Sequence, residues 1–101
     1  MKQLYDIQME TLIGIKKGKM EVSWNQGKIS GYITILGHTN PFEGVVDEEG
    51  NCRIHGDIIT LMRTFHYAAA GSITVSALYL SMESGQEVFR ITGASCPALK
   101  E

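Results

Sequence analysis

Two histidines and one aspartate lie close together in the chain and have the side-chain types of a metal site. They are His55, Asp57 and His66. If Leu61-Met62 forms a two-residue hairpin loop, Asp57 lies opposite His66 on the paired strand, with His55 one diagonal step away. Imidazole and carboxylate groups are ligands that zinc and non-haem iron accept. Alternation places these residues on the outer face, so the pattern predicts either a metal site or a solvated Asp–His pair.

A second group of candidate residues is aromatic and lies on the predicted inner face of the strands. Its members are Tyr5, Trp24, Phe42, Tyr67 and Phe89. Glycines and alanines share that face and leave room beside the rings. An eight-stranded barrel is just wide enough to be filled by side chains or to hold one small molecule. The pattern therefore predicts either a lumen that binds a small apolar ligand or a core filled by these same side chains.

These residues are positioned by strands, because apolar and polar residues alternate along most of the chain. Tyr5, Ile7 and Met9 alternate with charged and amide residues, and the same period of two returns after each turn rich in glycine. The pattern predicts an all-β fold, a small antiparallel meander of about eight strands closed into a barrel. Closure removes exposed sheet edges. The alternatives are a two-sheet sandwich and a barrel with one helix near residues 60–70.

The two halves of the chain resemble each other. A shift of 49 residues places Thr11-Leu12 on Thr60-Leu61 and Gly44 on Gly93. The sequence therefore predicts one barrel domain over residues 1–101 with a weak two-fold repeat, about 4–46 and 52–93.

Composition limits the function classes. The chain has 101 residues, a net charge of −2 and 44% hydrophobic residues, which does not favour nucleic acid as a partner. The chain contains no apolar run long enough to span a bilayer and its start does not resemble a signal peptide, so we expect a cytoplasmic protein without a membrane partner. Cys52 and Cys96 share no metal-ligand spacing, so we expect two unpaired thiols and no cofactor.

Several apolar side chains fall on the predicted outer face. They are Leu4, Tyr32, Leu36, Ile59, Leu61 and Val88. Sheet faces gather such residues into patches, and exposed apolar patches mark interfaces, so a homodimer is predicted.

Glycines and turn residues carry a resemblance to a known group of proteins. They are Tyr5-Asp6-Ile7, Thr11, Gly14, Lys16, Gly18, Gly27, Ser30-Gly31, Gly37 and Asn40-Pro41-Phe42-Glu43-Gly44. In these positions the chain resembles small uncharacterised bacterial β-barrel proteins of about this length. The resemblance implies the barrel fold and no assigned activity, so it assigns no functional residue.

Two functional hypotheses follow from the sequence. The first is a binding module that holds an apolar ligand in its lumen. The second is a structural or interaction protein with a filled core, acting as a homo-oligomer or partner subunit. An enzyme is less favoured, because the face with His55, Asp57 and His66 is the one candidate for catalysis.

Overall fold

Eight β-strands follow one another along the chain, and each pairs antiparallel with its sequence neighbours. The computed structural model describes residues 1–96. The strands are β1 (Lys2–Thr11), β2 (Gly14–Asn25), β3 (Lys28–Ile35), β4 (His38–Val46), β5 (Asn51–Ile59), β6 (Thr64–Ile73), β7 (Ala77–Ser84) and β8 (Glu87–Ser95). β1 also pairs with β8, from Tyr5↔Ser95 to Glu10↔Arg90, and this pairing closes the barrel.

The predicted barrel is therefore confirmed, and both alternatives are wrong. The closed strand order excludes a two-sheet sandwich. The segment considered for a helix, residues 60–70, forms a turn and most of β6 instead, because it pairs with β5 on one side and β7 on the other. The lysines near Gly18 lie inside β2, where Lys16 pairs with Met9 of β1.

Alternating side chains point inward from every strand and fill the barrel. Buried apolar residues include Tyr5, Ile7, Met9, Met20, Val22, Ile29, Ile33, Ile35, Phe42, Cys52, Ile54, Ile58, Tyr67, Ala69, Ile73, Leu78, Leu80, Met82 and Ile91. They form one cluster, against which Trp24, Val46, Phe65 and Phe89 pack. Their removal from water is the main term that favours the folded state.

A side chain replaces the backbone ladder where β4 and β5 separate. Their pairing ends at Phe42↔Gly56, next to Pro41, which has no N–H to donate. Beyond this point the buried Asn40 side chain accepts the Ile59 N–H at 3.2 Å through Oδ1. Its Nδ2 donates to the Ile33 carbonyl on β3 at 3.3 Å. Asn40 therefore joins three strands at the place where the proline interrupts their pairing.

The strand bounds of the two halves correspond. β7 and β8 begin and end 49 residues after β3 and β4, which is the offset at which residues match in the sequence. Each half supplies four consecutive strands to the single barrel. This arrangement is consistent with the two-fold repeat, which stays a prediction.

Candidate functional site

The predicted hairpin brings Asp57 and His66 together. The two residues are direct cross-strand partners, and Nδ1 of His66 lies 2.7 Å from Oδ1 of Asp57. Both side chains are exposed. His55 lies on the same outer face but is paired with Ala68.

This geometry is that of an exposed cross-strand pair. Within residues 1–96, His, Cys, Asp and Glu side chains form no group of three or more that is arranged to hold a metal ion. A metal site at His55, Asp57 and His66 therefore stays a sequence prediction without a third ligand beside the pair.

The predicted lumen residues all point inward, but they are spread along the whole barrel. Tyr5, Phe42 and Tyr67 are buried, whereas Trp24 and Phe89 are partly buried near opposite ends. At the Phe89 end the ring packs edge-to-face on Phe65, with centroids 5.5 Å apart. Aromatic side chains thus line the middle of the barrel and cover its ends, which is the arrangement of a filled core.

The two buried tyrosines differ in how their hydroxyl groups are satisfied. The Tyr5 hydroxyl donates to the Thr74 carbonyl oxygen, whereas the Tyr67 hydroxyl has no hydrogen-bond partner among residues 1–96. Burial raises the pKa of Tyr5 to about 12 and also raises the pKa of Tyr67. Both groups are therefore neutral donors at physiological pH.

We expect Tyr67→Phe to raise the free energy of unfolding by about 1 kcal/mol, because it removes a buried polar group that has no partner in residues 1–96. Tyr5→Phe is the matched control, because it also removes a hydroxyl group but breaks the hydrogen bond to the Thr74 carbonyl oxygen. This control should lower the free energy of unfolding by about 1 kcal/mol. Urea denaturation of both variants at neutral pH measures the difference. A loss of stability in Tyr67→Phe would mean that the hydroxyl has a partner inside the barrel.

An open groove lies on the outer face, across strands β4 to β7 with Lys28 of β3 at its edge, and the sequence hypotheses missed it. Its volume is about 620 Å³, within the range of about 300–1,000 Å³ usual for ligand sites. Residues that line it include Glu43, Arg53, His55, Ala68, Ala70 and Glu83. A second open cavity of about 470 Å³ lies beside the first. Both are lined by His55, Ala68 and Glu83, and the second is also lined by Asp57 and His66. We call the first cavity the outer groove.

The outer groove is formed because small and large side chains are paired across neighbouring strands. Ala70 lies opposite Arg53 on β5, and Ala68 lies between His55 on β5 and Glu83 on β7. The alanines form a low apolar floor along β6, and the longer side chains form the two walls. The two outward-facing alanines could be recognised in the sequence. Their neighbours on β5 and β7 could be identified only when the pairing register of the strands was known.

Charges of both signs line the outer groove, and they are not paired with each other. Arg53 on β5 and Lys28 on β3 are basic, whereas Glu43 on β4 and Glu83 on β7 are acidic. None of the four forms a salt bridge with another residue of the described chain. Charged groups left without a partner are available to a ligand that carries the opposite charges.

The thiols of the chain do not contribute to the groove. Both cysteines are free, and neither is among the described residues that line it. Burial in the core raises the pKa of the Cys52 thiol, so the reactive thiolate is disfavoured. The described residues thus offer polar recognition in the groove rather than thiol chemistry.

The fold and the groove define a class of protein: a closed, up-and-down eight-stranded β-barrel with a side-chain-filled interior and a charged groove on its wall. The chain matches no protein family model, no curated protein and no solved structure at a significant level. Nothing helical within residues 1–96 has the length and hydropathy of a transmembrane span.

Proposed function

We propose that the protein is a binding module that recognises a partner in the outer groove without transforming it. The observation that carries this proposal is the location of open space. The outer groove and the cavity beside it lie on the outer wall, whereas inward side chains from all eight strands form one buried cluster. Among the sequence hypotheses, the interaction protein with a filled core is therefore favoured over the carrier of a lumenal ligand.

The shape and charge of the groove favour an extended polypeptide segment with both basic and acidic side chains. Four neighbouring strands span about 14 Å at the usual interstrand spacing, which is wide enough for an extended chain. The methyl groups of Ala68 and Ala70 provide an apolar floor. Arg53 faces acidic side chains of the segment, and Glu83 on the other wall faces basic ones.

We expect a short peptide of alternating lysine, alanine and glutamate to bind more tightly than an all-alanine peptide of equal length. Ala68→Trp should weaken that binding by about tenfold or more, because the indole fills the groove that the alanine floor leaves open. Isothermal titration calorimetry measures the affinity. The matched control is Ala94→Trp, which places the same side chain on the outer face of β8, where Ala94 pairs with Ala77.

Two results would contradict the proposal. One is equal binding of the charged and the uncharged peptide, and the other is an equal effect of tryptophan at positions 68 and 94. Circular dichroism of both variants separates loss of binding from loss of fold.

The second candidate function is the lumenal binding of a small apolar ligand that accepts one hydrogen bond. Tyr67 favours it, since this residue is only 5% exposed, its hydroxyl has no partner within residues 1–96, and such a group normally has one in the folded protein. In that case Tyr5, Trp24, Phe42 and Phe89 would surround the ligand. Native mass spectrometry that detects a bound small molecule would support this candidate.

A cytoplasmic location and self-association to a homodimer remain part of the proposal. Leu4, Tyr32 and Val88 are exposed on the barrel wall, as the sequence predicted, and they offer apolar area for such contacts. Native mass spectrometry also reports the number of subunits.

A further inference from the structure

Two hairpin turns carry the most exposed apolar side chains of the described chain. Leu12 and Ile13 are 97% and 83% exposed in the β1–β2 turn, and Leu61 and Met62 are 95% and 90% exposed in the β5–β6 turn. The next most exposed large apolar side chain, that of Met1, is 67% exposed. None of these four side chains belongs to the buried core, so their apolar surface stays in water, and burying it against a partner would be favourable.

Both turns lie at the same end of the barrel. In an up-and-down meander, every turn from an odd strand to the next even strand lies at one end, so the β1–β2 and β5–β6 turns share it. They are four strands apart in an eight-stranded ring and therefore lie on opposite sides of the rim. Leu36, also exposed, lies in the β3–β4 turn at this end. We call the Leu12-Ile13 and Leu61-Met62 turns the apolar tips.

The two tips are built in the same way and are held by their own hydrogen bonds. Thr11 Oγ1 donates to the Gly14 carbonyl at 2.7 Å, and Thr60 Oγ1 donates to the Arg63 carbonyl at 2.8 Å. The same hydroxyl oxygens accept backbone N–H groups from Ile13 and from residues 62 and 63. A threonine therefore fixes each turn, and the apolar side chains project from a defined backbone.

Basic side chains lie directly behind both tips. Lys16 and Lys17 follow the first tip on β2, and Arg63 follows the second. Carboxylates are present as well: Glu10 lies beside the first tip, and Glu87 forms a 2.6 Å salt bridge with Arg63. The lysines behind the first tip form no salt bridge with another described residue.

We propose that the apolar tips insert into the interfacial region of a lipid bilayer and place the barrel end on a membrane surface. The two tips are separate projections on opposite sides of a rim. A stable protein interface needs about 800 Å² of contiguous complementary surface from each partner, which isolated projections do not supply. A fluid lipid phase adapts to any projecting shape, and Lys16 and Lys17 lie where phospholipid headgroups would meet the barrel.

This inference does not depend on the function proposed for the outer groove. The groove lies on the barrel wall, and its alanine floor is part of β6 rather than of a turn. The sequence expectation of no membrane partner rested on the absence of a spanning segment. Interfacial insertion requires only a few projecting apolar side chains, so that expectation does not bear on it.

Co-sedimentation with vesicles tests the proposal. The probes are vesicles of phosphatidylcholine alone and of phosphatidylcholine mixed with phosphatidylserine. We expect binding to the mixed vesicles, and we expect Leu12→Ser combined with Ile13→Ser to lower the partition coefficient by about tenfold or more. Leu61→Ser combined with Met62→Ser should have a similar effect. The matched control is Val75→Ser with Tyr79→Ser, two exposed apolar residues towards the opposite end of the barrel, which should leave the partition coefficient unchanged.

A label at the tip supplies a second readout. An environment-sensitive fluorophore on Leu12→Cys, in a Cys96→Ser background, should shift to shorter wavelength when mixed vesicles are added, whereas the same label on Val45→Cys should not. Failure of the wild-type protein to sediment with either vesicle would overturn the proposal. So would binding that the tip variants do not weaken, or tip variants that instead abolish self-association in analytical ultracentrifugation. None of these outcomes concerns peptide binding in the outer groove.

Discussion

Gly44→Ala is expected to lower the free energy of unfolding by about 3 kcal/mol or more, at the upper end for overpacked sites. Gly44 faces inward on β4, opposite Ile54. A Cβ atom there would lie 1.9 Å from the Arg53 carbonyl oxygen and 2.7 Å from the Ile54 Cα atom. Both are backbone atoms of β5, so relief requires the two strands to separate. Urea denaturation followed by circular dichroism measures the change.

A control for Gly44 must separate this clash from the general effect of replacing a glycine. Gly85 lies in the β7–β8 turn with φ of 63°, and a Cβ atom added there would have no neighbour among the described residues within 4 Å. Asparagine adopts this left-handed conformation more readily than other residues with a Cβ atom. Gly85→Asn should therefore change stability by less than about 1 kcal/mol. Similar losses in the two variants would contradict the close strand contact at Gly44.

Asn40→Leu is expected to lower the free energy of unfolding by about 2 to 3 kcal/mol, because it removes the hydrogen bonds that this buried side chain makes to backbone groups of β3 and β5. The Ile59 N–H loses its acceptor, and the Ile33 carbonyl loses the amide donor. Leucine has a similar size, so the loss reports hydrogen bonding more than packing. Chemical denaturation measures the stability, and amide hydrogen exchange should show faster exchange at Ile59.

Thr39→Val is the matched control for Asn40→Leu. Thr39 is the preceding residue on β4, and its exposed hydroxyl group lies 2.9 Å from that of Thr34. Loss of an exposed contact should change stability by no more than about 0.5 kcal/mol. Unchanged hydrogen exchange at Ile59 in Asn40→Leu would show that β4 and β5 do not depend on this side chain.

Much of the fold could be predicted from the sequence, because the inward and outward faces differ in composition along nearly every strand. The period of two at Tyr5, Ile7 and Met9 is preserved in burial, with all three buried between exposed neighbours. The hairpin register that brings Asp57 opposite His66 followed from the length of one turn. These features are local, so a single sequence contains enough information to predict them.

The outer groove could not be predicted, because its walls and floor come from different strands. Ala68 is an ordinary strand residue in the sequence, and it becomes a groove floor only between His55 and Glu83. The bridging role of Asn40 was missed for the same reason, since its partner Ile59 lies on another strand. Cross-strand neighbours depend on the register of several strands at once, which residue periodicity alone does not determine.

The apolar tips show how topology changes the interpretation of single residues. In the sequence, Leu61 was one of several scattered outward residues, and Leu12-Ile13 was not singled out. The meander places both turns at one end of the barrel, and burial leaves their side chains almost fully exposed. Together they form a feature that neither turn indicates alone.

The proposed function is tested most directly by methyl-resolved NMR during titration with the alternating lysine–alanine–glutamate peptide. If the outer groove is the binding site, the methyl signals of Ala68 and Ala70 shift with the peptide, and those of the buried Ile33 and Leu80 do not. The contradicting result is a saturable shift of the Ile33 and Leu80 methyl signals with unchanged alanine signals. That result would place binding in the lumen.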